Sequence, residues 1–344
     1  MSNVIESLGF EVWHLCNITE PVVYIKKLIK QIIKRILTIL GSKKYRSEIH
    51  HLTVSRKLGP VFAKFVDKYF TRVIYMTQKQ AVSSKPSDWS EYAYAVVGSD
   101  QVWNISNALE YYYLMFMPSE KRICYAPSVV NSKFSEEHYE IHKKGLTGFA
   151  HLSCREQEVI PSIKQITGKD AQLVLDPTLL FRPEDWRKYE KKPNYEIPEK
   201  YILCYFLENK TPEYIQAIKE AAGDYQVITL YDLHDKHFYT NPAEFIYLID
   251  HADFVCTDSF HGTAFAINFE KNFLAFRRKY DIPVHEAMFK RLENLLNCLN
   301  IRGHSYESGM KIRPEEVNYT EVNLRLDALR KSSLDFLKEC LHID

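Results

Sequence analysis

The residues best suited to chemistry lie in Thr257-Asp258-Ser259-Phe260-His261-Gly262, where an apolar run (254–257) ends and a helical pattern (260–269) begins. Ser259 is a good N-cap for that helix. A helix N-terminus at the carboxyl end of a strand offers free N–H groups and a positive dipole end, which suits phosphate or carboxylate. A histidine in the first turn, His261, can hydrogen-bond an anion or protonate a reacting carbon or oxygen. The structural alternative is that His261 caps or packs between domains. A second strand-to-turn transition, Gly98-Ser99-Asp100-Gln101-Val102-Trp103-Asn104, lies in the other half of the chain. There Gly98 lets the backbone approach a ligand, while Ser99 and Asp100 supply a hydroxyl and a carboxylate. Trp103 can stack on a sugar face or plug the core. Arg155, after the run 151–154, is the best-placed cation for an anion, with an ion pair to Glu156 or Asp176 as the competing role. Arg277 and Arg278 are weaker candidates of the same kind.

The elements that must position these residues are short strands alternating with helices. Strands are expected at 10–16, 93–97, 122–126, 151–154 and 173–175, with helices at 61–70, 135–145 and 156–166 between them. A charged, proline-bearing stretch, 182–200, reads as a linker. A second run follows: strands at 201–207, 226–231, 254–257 and 273–276, with helices at 212–222, 242–250 and 260–269. Helices at 286–300 and 323–341 close the chain. Such alternation implies largely parallel sheets. The expected division is an N-terminal α/β domain (1–190, acceptor side), a C-terminal α/β domain (191–322, donor side) and a final helix (323–344). Residues 1–8 read as the end of a helix.

At 344 residues the chain exceeds one ordinary core, and its net charge of +1 gives no reason to expect nucleic acid. Its seven cysteines are scattered and never form a CxxC pair, which argues for a reducing cytoplasm and against a zinc site. No secretory signal or uncharged spanning segment is evident. Residues 22–40 form an amphipathic helical pattern, and eight Lys or Arg with no acid lie between Glu20 and Glu48. That face can rest on anionic lipid or simply be solvated. The tract Asp232-Leu233-His234-Asp235-Lys236-His237 lacks a fixed metal-ligand spacing, and glycine-rich phosphate loops are absent.

Five motifs in order, Gly98-Ser99-Asp100-Gln101-Val102-Trp103-Asn104, Cys124-Tyr125-Ala126-Pro127-Ser128, Ser153-Cys154-Arg155-Glu156, Val174-Leu175-Asp176-Pro177-Thr178 and Thr257-Asp258-Ser259-Phe260-His261-Gly262, resemble the polysaccharide pyruvyltransferase family. The likeness runs from about Phe10 to Arg302. It implies two Rossmann-like domains of GT-B type facing a cleft. It also implies transfer of a pyruvyl group from phosphoenolpyruvate to two hydroxyls of a sugar, giving a cyclic ketal and phosphate. By resemblance His261 is the general acid; Arg155, Ser259, Phe260 and Gly262 bind the donor; Gly98, Ser99, Asp100, Gln101 and Trp103 face the acceptor. No metal or cofactor is expected beyond phosphoenolpyruvate as co-substrate.

The resemblance further implies a cytoplasmic enzyme of bacterial capsule or exopolysaccharide assembly. Its acceptor would be a sugar or lipid-linked oligosaccharide, with peripheral inner-membrane contact through residues 22–40. Two departures stand out. Members often carry Arg two residues before the histidine, where Ser259 stands here, so one donor contact is replaced or lost. Members also usually open with a strand and an Asn-Tyr-Gly-type loop, and by that comparison the N-terminal domain is expected to lack its first strand. A GT-B-like glycosyltransferase using a nucleotide sugar, or a non-catalytic carbohydrate-binding member, are the alternatives.

Overall fold

A computed structural model describes residues 1–18, 31, 46–103, 109–129, 134–233, 235, 237–278, 283–312 and 316–343. The C-terminal half is built on one four-stranded sheet. Its strands β7 (Tyr201–Tyr205), β8 (Gln226–Leu230), β9 (Phe254–Thr257) and β10 (Asn272–Ala275) lie in the order β10-β9-β7-β8, all parallel. The N-terminal half carries parallel pairs: β1 (His14–Ile18) with β2 (Val73–Thr77), β3 (Ala95–Val97) with β4 (Arg122–Cys124), and β5 (Ser153–Cys154) with β6 (Gln172–Leu173). A parallel bridge between Ile123 and His151 brings the second and third pairs side by side. Strands buried on both faces read as continuous apolar runs, which is why Tyr201–Cys204 and Val255–Thr257 are buried throughout.

Among the described residues the helices of eight or more residues are α1 (Arg46–Tyr69), α2 (Tyr139–Thr147), α3 (Ile160–Thr167), α4 (Pro212–Ala222), α5 (Pro242–Asp250), α6 (Phe260–Asn268), α7 (Pro283–Cys298) and α8 (Tyr319–Cys340). Their starts follow from capping chemistry. Thr211 accepts from the N–H of Tyr214 with Pro212 at the first helical position, and Asn241 with Glu244 forms a capping box ahead of α5. The final helix does not stand apart. α8 crosses back to the N-terminal half, where Phe336 lies against Tyr125 and His151. Ser333 Oγ accepts the N–H of Leu175 at 2.9 Å, and Arg330 Nε donates to the carbonyl of Leu179 at 2.8 Å. One apolar core therefore joins Ile123, Tyr125 and Leu179 to Leu203, Val255 and Phe336.

Helices 212–222 and 242–250 and strand 254–257 fall where the sequence places them. The first strand runs His14–Ile18 rather than 10–16, because its extent is set by pairing with Val73–Thr77, a strand without a local signal of its own. The helices near 135 and 156 each open with a 3₁₀ turn, Glu136–His138 and Gln157–Val159. The expected linker contains the short helix Pro183–Arg187 and packs on α5, where the Arg187 guanidinium forks onto Asp250 at 2.7 and 2.9 Å. The basic segment 22–40 lies outside the described residues except for Gln31. Among the described residues no helix is long and apolar enough to cross a membrane. All seven cysteines are free thiols.

Candidate active site

The turn from β9 into α6 is held by its own hydroxyls. Thr257 Oγ1 donates to the carbonyl of Tyr205 at 2.6 Å and accepts the Ser259 N–H at 3.1 Å. The carboxylate of Asp258 accepts the N–H groups of Leu207 and Glu208, tying the ends of β9 and β7 together. Ser259 Oγ then caps α6 by accepting the N–H of Gly262 at 3.3 Å. Glycine is required there, since a Cβ on Gly262 would lie 2.4 Å from Thr257 Oγ1. With the third N–H capped, the N–H groups of Phe260 and His261 carry the unsatisfied donor capacity of the helix end. His261 is 38% exposed, and its Nε2 lies 3.9 Å from Asp176 Oδ2. That distance is too long for a hydrogen bond, so the contact is electrostatic.

Beneath this turn the N-terminal half contributes a cage of carboxylates around Arg155. The guanidinium donates from Nη2 to Asp100 Oδ1 at 2.9 Å, from Nε to Glu156 Oε1 at 3.2 Å, and from Nη1 to Asp176 Oδ2. Its remaining face lies 4.5 Å from the centre of the Phe260 ring, so α6 is seated on the same group. The Arg155 side chain is 2% exposed. Burial would lower its pKa, but the three carboxylates outweigh that and raise it. Asp176 is spoken for at both oxygens, since Thr178 donates N–H and Oγ1–H to Oδ1 and Ser99 Oγ donates to Oδ2. Burial pushes Asp176 up, yet Arg155, His261 and Thr178 prevail and hold it at about 2. Glu156, by contrast, is raised by burial despite its partners.

Above the cage opens a cavity of about 130 Å³ between the two halves of the chain. The N-terminal half lines it with Asp100, Gln101 and Arg155. The C-terminal half adds Ser259, Phe260 and His261 from the turn, and Arg278, Met288 and Arg291. Arg278 Nε stands 3.6 Å from Asp258 Oδ2 and its Nη1 lies 3.0 Å from Met288 Sδ. Arg291, on α7, is 6% exposed and donates from Nη1 to Ser128 Oγ at 2.8 Å. Burial and the neighbouring Arg155 charge lower its pKa to about 10.

The structure thus gathers His261, Arg155, Ser259, Phe260, Asp100 and Gln101 around one cavity. It reassigns several of the others. Trp103 is 2% exposed and stacks on Tyr113 in the N-terminal core, so it has no face left for a sugar. Gly98 serves packing, because a Cβ there would lie 1.7 Å from the Tyr125 carbonyl. Ser99 binds Asp176, and the Gly262 N–H is taken by Ser259. Arg155 meets three carboxylates, one from each of its nitrogens, so its charge is offset before any anion arrives. Arg277 turns away to Glu286 and Glu293, whereas Arg278 enters the cavity. In the 232–237 tract, Asp235 and His237 bond to each other, and His234 and Lys236 lie outside the described residues.

Two functional candidates escaped the sequence reading. Asp176 was visible only as an ion-pair partner, since the Asp-Pro-Thr turn does not say that Arg155 and His261 converge on it. Arg291 had one local signal: it shares a helical stripe with Met288 and Leu295, and a cation on an apolar stripe calls for a partner.

A doubly anchored strand-to-helix turn carrying a histidine thus meets a caged arginine at one small cavity lined by charges of both signs. Residues 17–280 match the family described as polysaccharide pyruvyl transferase, and the chain belongs to that family. It is a family of transferases associated with polysaccharide biosynthesis. No curated protein matches the sequence. Among solved structures, a variant of the wall teichoic acid polymerase TagF soaked with CDPG is similar at 11% identity and a TM-score of 0.37, over 93% of this chain and all of that one. A longer soak of the same polymerase gives 12% identity and a TM-score of 0.34, over 94% and 92%.

Proposed function

We propose that this protein transfers the pyruvyl group of phosphoenolpyruvate to two hydroxyls of a saccharide, forming a cyclic ketal and releasing phosphate. The observation that carries the reading is His261 in a family member, standing at the cavity beside the N-terminus of α6 and across from two further arginines. Phosphoenolpyruvate carries negative charge on both its phosphate and its carboxylate, which fits helix N–H groups and arginines lining one cavity. Its methylene carbon must gain a proton before C2 becomes electrophilic, and His261 is the group at the cavity able to deliver one.

His261 gives its proton to the methylene carbon, leaving an oxocarbenium-like centre at C2. One sugar hydroxyl adds to C2 and returns a proton to His261. The C2–O bond to phosphate breaks, and the second hydroxyl closes the ketal while its proton leaves with phosphate. The fixed charge of Asp176, 3.9 Å from Nε2, faces the imidazolium before transfer. Arg155 is a positioning residue in this scheme: it holds Asp176 and Asp100 and supports Phe260 from below. Asp100 and Gln101, at the mouth, face the acceptor. The saccharide would be lipid-linked or nucleotide-linked, as in capsule or exopolysaccharide assembly, with the two halves of the chain acting as GT-B-type domains.

The test is phosphate release from phosphoenolpyruvate with pooled lipid-linked and nucleotide-linked saccharides, read together with mass spectrometry for an added carboxyethylidene group. Wild type is expected to give both signals. His261→Gln should lose them by a factor of roughly 10² or more while still binding phosphoenolpyruvate in titration calorimetry. Phosphate release that persists in His261→Gln would remove the histidine from its role as acid.

A further inference from the structure

Three arginines line the cavity, and their states differ. Arg155 is neutralised by carboxylates on three sides. Arg278 has one ion pair among the described residues, to Asp258 at 3.6 Å, and that carboxylate is already engaged by two backbone N–H groups. Arg291 forms no ion pair among the described residues. Its one hydrogen bond among them goes to the Ser128 hydroxyl, and its Nε is buried with no acceptor. Ser128 in turn donates to Glu156 at 2.6 Å, so the nearest acid behind it is shared with Arg155.

A guanidinium buried to this degree is ordinarily paired. Phe289 and Leu292 are its buried neighbours on α7 and line the same cavity, while the acids that act on it, Glu156 and Asp100, reach it through space without an ion pair among the described residues. The N-terminus of α6, with N–H groups of Phe260 and His261 unbonded among the described residues, opens into that space. The cavity thus holds a buried cation with no ion pair among the described residues and a helix N-terminus, both of which attract negative charge.

We infer that Arg291, assisted by Arg278, is the anion-binding element of this cavity and takes the phosphate of the donor, a role for which Arg155, its charge met by three carboxylates, is the poorer candidate. That the anion is phosphoenolpyruvate rests on the function proposed above; that the site takes a phosphate group does not. Ser259 is neutral and buried, so the positive charge at this turn has to come from elsewhere, and α7 brings it.

The experiment is calorimetric titration of phosphoenolpyruvate, and separately of inorganic phosphate, into wild type, Arg291→Met, Arg278→Met and Arg277→Met. Arg291→Met should bind both ligands roughly 30-fold more weakly or worse, Arg278→Met several-fold more weakly, and Arg277→Met like wild type. Melting temperature is the second readout: removing an unpaired buried charge should leave Arg291→Met as stable as wild type or more so. Equal affinity of folded Arg291→Met and wild type for phosphate overturns the assignment, and so does a wild type that binds neither ligand. Phosphate binding lost in Arg291→Met, without any binding of phosphoenolpyruvate, upholds the anion site and overturns the donor instead. Should Arg291→Met not fold, Arg291→Lys keeps the charge but not the fork; about tenfold weaker phosphate binding supports the site, and unchanged binding overturns it.

Discussion

Replacing Arg155 by Met separates a structural cation from a substrate-binding one. The side chain is 2% exposed and contacts three carboxylates, of which Glu156 and Asp176 are equally buried. Removing one partner of a buried pair costs about 3–5 kcal/mol, because the remaining charge stays desolvated and unpaired. Unfolding entropy is roughly 2.1 cal/mol/K per residue, so 344 residues give about 0.7 kcal/mol/K. A loss of about 4 kcal/mol then lowers the melting temperature by roughly 5–6 °C at neutral pH. The pH dependence carries the sharper signature. In wild type Asp176 is held at about 2, below its unfolded value, so its contribution is complete above the unfolded pKa and is lost as pH falls toward 2. Without Arg155 each acid loses the strongest group opposing its burial, so Asp176 rises and Glu156, already raised, rises further. The variant must therefore recover stability as pH falls and the two carboxyls take up protons. Differential scanning fluorimetry of both proteins between about pH 4.5 and 7.5 should show the gap in melting temperature narrowing on acidification. A folded Arg155→Met with wild-type melting temperature across that range would refute the cage.

Two further substitutions probe positions where the structure reassigns a residue from ligand binding to packing. Gly98 has φ +126°, and a Cβ there would lie 1.7 Å from the Tyr125 carbonyl. Gly98→Ala should cost about 4 kcal/mol or more, seen as insoluble protein or a collapsed unfolding midpoint. Trp103→Ala empties a site stacked on Tyr113 and flanked by Phe149, and should cost about 3–5 kcal/mol in denaturant unfolding. Once an acceptor is in hand, its KM should be unchanged in a conservative Trp103→Phe variant, since the indole does not reach the cavity.

Local signals carried the secondary structure of the C-terminal half. Thr211-Pro212 and Asn241-Pro242 announce helix starts through capping and fixed φ, and Phe254–Thr257 is apolar enough to read as a buried strand. The strand Val73–Thr77 was not legible, because a half-exposed five-residue segment becomes a strand only by pairing with His14–Ile18. The same physics limited the site. His261, Ser259 and Phe260 were legible as a capped strand-to-helix turn, since every interaction that forms it spans a few residues. Asp100 and Arg155 were legible as polar groups at strand ends.

What the sequence determined by itself, then, is the alternating strand–helix order, the family and the turn that carries the histidine. Each rests on spacing along the chain. The tertiary structure alone decided which cation is free. Arg155 and Arg291 are 136 positions apart, and a guanidinium's availability depends on the acids that surround it in space. Only folding brings Asp100, Glu156 and Asp176 onto Arg155 and leaves Arg291 facing the cavity with a serine for a partner.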